Sequence, residues 1–156
     1  MNKTQQRELD EQLFHAVNQG NIKDAKRLIE TGASIHPFFL YEATCEEHEK
    51  MIELLLKERA NINVVNRKGL TPLDFAGRSQ HANRIVMAKL IVNEIVRLEV
   101  LGFYITERNL MLANDFIDSS GEIRNNFLQH RSSCEKEVEK LEKENKPHII
   151  NVISKL

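Results

Sequence analysis

Tryptophan is absent from this chain of 156 residues, and only two Tyr and seven Phe supply bulky rings. The core is therefore expected to be aliphatic. Cysteine is scarce too. Two residues, Cys45 and Cys134, fit a reducing compartment better than a disulfide scaffold. No apolar run approaches the length of a membrane span. The stretch Met1-Asn2-Lys3-Thr4-Gln5-Gln6 is polar and lacks the apolar region of a secretory signal. An excess of one charge is also missing. Twenty-two basic side chains face 23 acidic ones. Nothing electrostatic then points to nucleic acid or to an anionic membrane. No Gly-rich phosphate loop, GxSxG elbow or HExxH pair occurs, so no enzyme is expected. A small hydrolase built on His15 or His48 is the weakest reading.

What is present is a repeated unit. Gly69-Leu70-Thr71-Pro72-Leu73-Asp74-Phe75-Ala76 joins a turn glycine to a cap, Thr71, and to a proline at the first helical position. Leu73 and Ala76 share one helix face. The register recurs at Ala43, 33 residues earlier, and at Ala16, 27 residues before that. Each earlier copy is followed by an apolar helix: Ala25, Leu28 and Ile29, then Met51, Ile52, Leu54, Leu55 and Leu56. Both helices run into similar ends, Thr31-Gly32-Ala33-Ser34-Ile35-His36 and Glu58-Arg59-Ala60-Asn61-Ile62-Asn63.

These residues, with Gly20-Asn21 in the first unit, resemble the ankyrin-repeat family across about residues 8–98. Two departures stand out. The first spacing is six residues short of 33, and Asp74 occupies the place of the family's usual His. The resemblance implies an all-α solenoid of about three helix-hairpin repeats with one β-hairpin finger, closed by a C-terminal helical cap. Units of about 8–36, 37–63 and 64–101 form the array, and 102–156 the cap.

In chain order, helices are expected over 4–19, 22–31, 38–46 and 48–58. His36-Pro37-Phe38-Phe39 is too short for a finger, so Phe38 and Phe39 are expected to fill the missing volume. The alternative is an exposed aromatic contact. The full finger spans 61–70, with Ile62 inward and Val64, Val65, Arg67 and Lys68 near its tip. Ala82–Val100 reads as one long helix, covered on two sides and ended by Gly102. Thr106 should cap a helix running to Phe116. Ser119 and Glu122 fit a capping box for a helix of about 120–145, bounded by Pro147. Phe127, Cys134, Val138 and Leu141 form its stripe, and Cys134 reads as packing. Cys45 and His48 could share a face, but four ligands at metal spacing are missing, so no metal and no cofactor are expected. By resemblance, His48 and His81 sit at inter-helix turns and bond the backbone.

Ankyrin proteins bind partners through finger tips and a concave helix face. Carried over to this chain, the resemblance implies a protein partner held by Arg67, Lys68 and Leu70 on the finger, then Asp74, Arg78 and Ser79. Asn18 and Gln19, and Cys45 and Glu46, hold matching places in the earlier units. A cytoplasmic monomer is expected. The alternative is a structural or oligomerising module acting through the C-terminal helix. Gly102-Phe103-Tyr104-Ile105 and Cys134-Glu135-Lys136-Glu137-Val138-Glu139-Lys140 are also similar to segments following the repeats in poxvirus and Wolbachia- or Rickettsia-like ankyrin proteins. That likeness implies a microbial effector or adaptor in a host cytosol. No F-box-like segment is read in Ile149-Ile150-Asn151-Val152-Ile153, so ubiquitin-ligase recruitment is not expected.

Overall fold

The computed structural model describes residues 1–144. Eight helices occur among them: α1 (Lys3–Gln19), α2 (Ile22–Thr31), α3 (Phe39–Cys45), α4 (Glu49–Lys57), α5 (Pro72–Arg78), α6 (Arg84–Val100), α7 (Glu107–Ser119) and α8 (Gly121–Lys143). Packing divides the chain into two compact units, residues 1–90 and 91–156, with the division inside α6.

The first unit is a stack of helix hairpins. Asn2 and Gln5 form a capping box at the start of α1. Gly20, at φ 66°, ends the helix, and its N–H donates to the Ala16 carbonyl. Asn21 then caps α2 by accepting from the Asp24 N–H, so the chain reverses in two residues. α1 packs on α2 and α3 on α4, and α1 and α5 both lie against α3. Leu13, Val17, Ala25, Leu28, Leu40, Ala43, Met51, Ile52, Leu55, Leu73 and Ala76 are buried between them. Stacking is what buries these faces, because one hairpin alone would leave half of them wet. His48 ties the first hairpin to the second, its Nδ1 lying 3.3 Å from the Val17 carbonyl. His81 differs from expectation. Its ring is exposed and lies 3.4 Å from the Glu47 carboxylate, not on the backbone.

The expected β-hairpin finger is corrected. No strand forms among the described residues. Asn66 is the physical reason. Its side-chain oxygen accepts from the N–H groups of Lys68 (2.8 Å) and Leu70 (3.0 Å). Those donors are then no longer free for a ladder. One backbone bond, Asn66 N–H to the Leu70 carbonyl at 2.9 Å, closes the loop, and Gly69 turns it at φ 74°. Ile62 anchors the loop inward as expected, but Val64 is buried as well and does not stand at the tip.

In the second unit, Ile91, Val92, Ile95 and Val96 of α6 are buried with Ala113 and Phe116 of α7 and Ile123 and Cys134 of α8. The His130 ring lies 2.8 Å from the Asn93 carbonyl, and Arg131 lies 3.7 Å from Glu99. Thr106 caps α7, which runs three residues past Phe116. The cap of α8 is Ser120, accepting from the Ile123 N–H, so the expected Ser119–Glu122 box is displaced by one residue. Ser119 instead completes α7 and donates to the Asp115 carbonyl. The boundary at Pro147 lies outside the described residues.

Candidate functional site

Among the described residues, two of the surface grooves on the first unit bear on the residues singled out in the sequence. The smaller, about 450 Å³, lies between α3, α5 and the finger loop and is lined by Tyr41, Asn66, Arg67, Lys68, Leu70, Phe75 and Arg78. α5 positions its share through a tight local cap. The Thr71 hydroxyl accepts from the Asp74 N–H at 3.1 Å, and the Asp74 carboxylate accepts from the Thr71 N–H at 2.9 Å. Pro72 at the first turn completes the start of the helix. With the helix fixed, Phe75 presents its ring edge to Tyr41, centroids 6.2 Å apart. The Tyr41 hydroxyl in turn accepts from the Asn66 amide at 2.8 Å, which pins the loop to α3.

The floor of this groove is aromatic and its rim is cationic. Among the described residues, Arg67, Lys68 and Arg78 make no ion pair. Burial, then the neighbouring Cys45, pushes the Tyr41 phenol up from its ordinary range, while the Asn66 bond works against this. Cys45 is half-buried. Burial pushes its thiol up as well, against the hydrogen bond with Tyr41, and Glu42 and Glu46 add to the rise. The thiol is therefore protonated at neutral pH and is a poor nucleophile there.

Of the residues singled out in the sequence, Arg67, Lys68, Leu70 and Arg78 meet in this groove. The others lie elsewhere. Asp74 is only 5% exposed, its carboxylate turned onto Thr71. The Ser79 hydroxyl donates to Glu47 at 3.1 Å. Cys45 and Glu46 end α3, with Glu46 exposed. Gln19 is exposed at the end of α1, and the Asn18 side-chain oxygen is covered with no hydrogen-bond partner among the described residues. Sequence reasoning missed Tyr41, Asn66 and Phe75. Asn66 was visible as an Asn three residues before the turn glycine, a common side-chain turn. No group of three or more His, Cys, Asp or Glu is placed to hold a metal ion among the described residues.

The larger groove, about 780 Å³, lies where the first finger is missing, between α1 and the 34–38 link. The link is held down by α1. Asp10 accepts from the Ser34 N–H at 2.7 Å, and the Gln6 amide donates to the Gly32 carbonyl at 3.0 Å. The Ser34 N–H first, then the Gln6 amide, which also donates to the Asp10 carboxylate at 2.8 Å, hold the Asp10 carboxyl below its usual range. Phe39 is buried and fills the expected volume. Phe38 does not: it is 39% exposed, with its ring stacked on His36. Phe14 is 43% exposed beside Phe39.

The model for ankyrin repeats in three copies matches residues 13–98, more than half of the chain. The chain belongs to the ankyrin-repeat family. A curated relative, ankyrin repeat, SAM and basic leucine zipper domain-containing protein 1 of Notamacropus eugenii, is 35% identical over 80 residues, 45% of this chain. The match spans only 17% of that relative's length. No solved structure matches. Ankyrin repeats are non-catalytic modules that bind protein partners. The likeness to poxvirus and Wolbachia- or Rickettsia-like proteins gains no support, since it rested on segments beyond residue 98, where the family match ends. Among the described residues of this ankyrin protein, no helix is long and apolar enough to cross a membrane.

Proposed function

We propose that this ankyrin array is a binding module that grips a protein partner in the groove between α3, α5 and the finger loop. One observation carries the reading. Arg67, Lys68 and Arg78 stand without ion pairs, among the described residues, around a floor made by Tyr41, Phe75 and Leu70. An apolar centre with a charged rim is the usual anatomy of a protein interface. Unpaired rim cations favour an oppositely charged partner and speed its arrival. The free thiols Cys45 and Cys134 support a reducing compartment such as the cytoplasm.

The test compares the wild type with an Arg67/Lys68/Arg78 triple alanine variant in affinity capture at low salt. The wild type should recover partners that the variant loses, with both proteins showing the same melting curve. Equal recovery would remove the assignment. Self-association through α8 is the second reading, favoured by Leu128, which is 65% exposed on that helix. Light scattering across a concentration series separates the two, because a constant monomer mass excludes it.

A further inference from the structure

The two grooves are successive copies of one inter-repeat groove. Phe14 and Tyr41 are 27 residues apart, as are Ala16 and Ala43. Glu42 and Phe75 are 33 apart, as are Ala43 and Ala76. Phe14 and Glu42 thus line the first groove where Tyr41 and Phe75 line the second. What differs is the wall. The second groove has a finger with Arg67 and Lys68, whereas the first has only the short link, with Phe38 standing outward beside His36. The chemistry changes accordingly. Around the first groove Arg7 is paired with Glu11 at 3.2 Å, the Asp10 carboxylate is committed to Ser34, and Lys3 and Glu42 add one charge of each sign, so no cationic rim forms there and the exposed rings of Phe14 and Phe38 set it apart.

We infer that the first groove is the apolar anchor site for the same partner, which is an extended acidic peptide segment with one large apolar side chain. The side chain enters between Phe14 and Phe38, and the carboxylates reach Arg67, Lys68 and Arg78. This rests on the protein-binding reading above and adds the partner's chemistry and register. Charge complementarity selects an acidic segment for the second groove. Repeat equivalence makes the first groove its continuation, and exposed Phe surface favours an apolar occupant there. Packed helices lie about 8–10 Å apart. An extended chain advances about 3.3 Å per residue. The apolar residue and the first carboxylate should therefore be about three positions apart.

The probe is a library of random dodecapeptides displayed on phage and selected on the full chain at low salt. Enriched sequences should share a large apolar residue with Asp or Glu about three positions away. A labelled synthetic peptide of the enriched sequence is then titrated by fluorescence anisotropy. Phe38→Ser and an Arg67/Lys68 double alanine variant should each weaken it by about tenfold or more. Phe38 is exposed, so Phe38→Ser should keep the wild-type melting curve, and Phe14→Ala provides an independent second variant. If the charge variant weakens binding while Phe38→Ser and Phe14→Ala do not, the anchor is overturned and the binding module stands. A consensus of basic residues overturns both. A library that enriches nothing overturns the anchor and leaves the binding module to the capture experiment.

Discussion

Replacing Gly20 with alanine probes the lock between the first two helix hairpins. Gly20 sits at φ 66°, and a Cβ placed there would stand 3.0 Å from Cγ and Nδ1 of His48. Two costs follow. A left-handed alanine costs about 1 kcal/mol. The imidazole is rigid, so it must shift, and its bond to the Val17 carbonyl is forfeited at about 1 kcal/mol, with some packing besides. The expected total is about 2–3 kcal/mol. Gly69 is the control: its φ is 74°, but nothing lies within 4 Å of the same added carbon. Gly69→Ala should lose only the backbone part, about 1 kcal/mol. Urea unfolding followed by circular dichroism measures both, with linear extrapolation to water. In a His48→Ala background the Gly20→Ala penalty should fall to that of Gly69→Ala. A Gly20 penalty no larger than the Gly69 one, or one unchanged by removing His48, refutes the reasoning.

Two further perturbations address the cap of α5 and the short link. Thr71→Ala removes a fully buried cap from Asp74 and should cost about 1–2 kcal/mol, a drop of about 3–6 °C in Tm by calorimetry; an unchanged Tm counts against the cap. Asp10 has its folded pKa lowered, so the stability it contributes is present above the unfolded value near 3.9 and is lost as pH falls through the folded one. The Ser34 amide should then lose protection, measured against its intrinsic exchange rate at each pH, as the pH falls. A carboxyl titration by nuclear magnetic resonance with a midpoint at or above about 4 would contradict this.

The first five helices were legible because local signals agreed with one another. Thr71 and Pro72 mark a helix start, Gly20-Asn21 and Gly32 mark ends, and the alanines at 16, 43 and 76 mark the close contacts. The finger was harder. It was expected from the family resemblance alone, yet the decision falls to the Asn66 side chain, whose three-dimensional reach no periodicity encodes. The α8 cap slipped by one because Ser119 and Ser120 are equivalent in composition, and only the end of α7 tells them apart. About half of the candidate groove, Arg67, Lys68, Leu70 and Arg78, followed from the family resemblance laid on the repeat register. The other half did not, because Tyr41 and Asn66 are 25 residues apart and meet only after the helices stack. Asp74 misled for a related reason: a carboxylate three residues after a threonine suits an outer rim and an inner cap alike.

Tyr41 also gives the molecule a built-in reporter. With no tryptophan in the chain and only two tyrosines, near-ultraviolet emission arises from Tyr41 and from Tyr104, which is 77% exposed. One of the two fluorophores therefore forms part of the groove floor, with its hydroxyl held by Asn66. Anything that settles there must alter that ring's surroundings. A bound peptide lacking aromatic residues can be followed by the protein's own light, with no label attached.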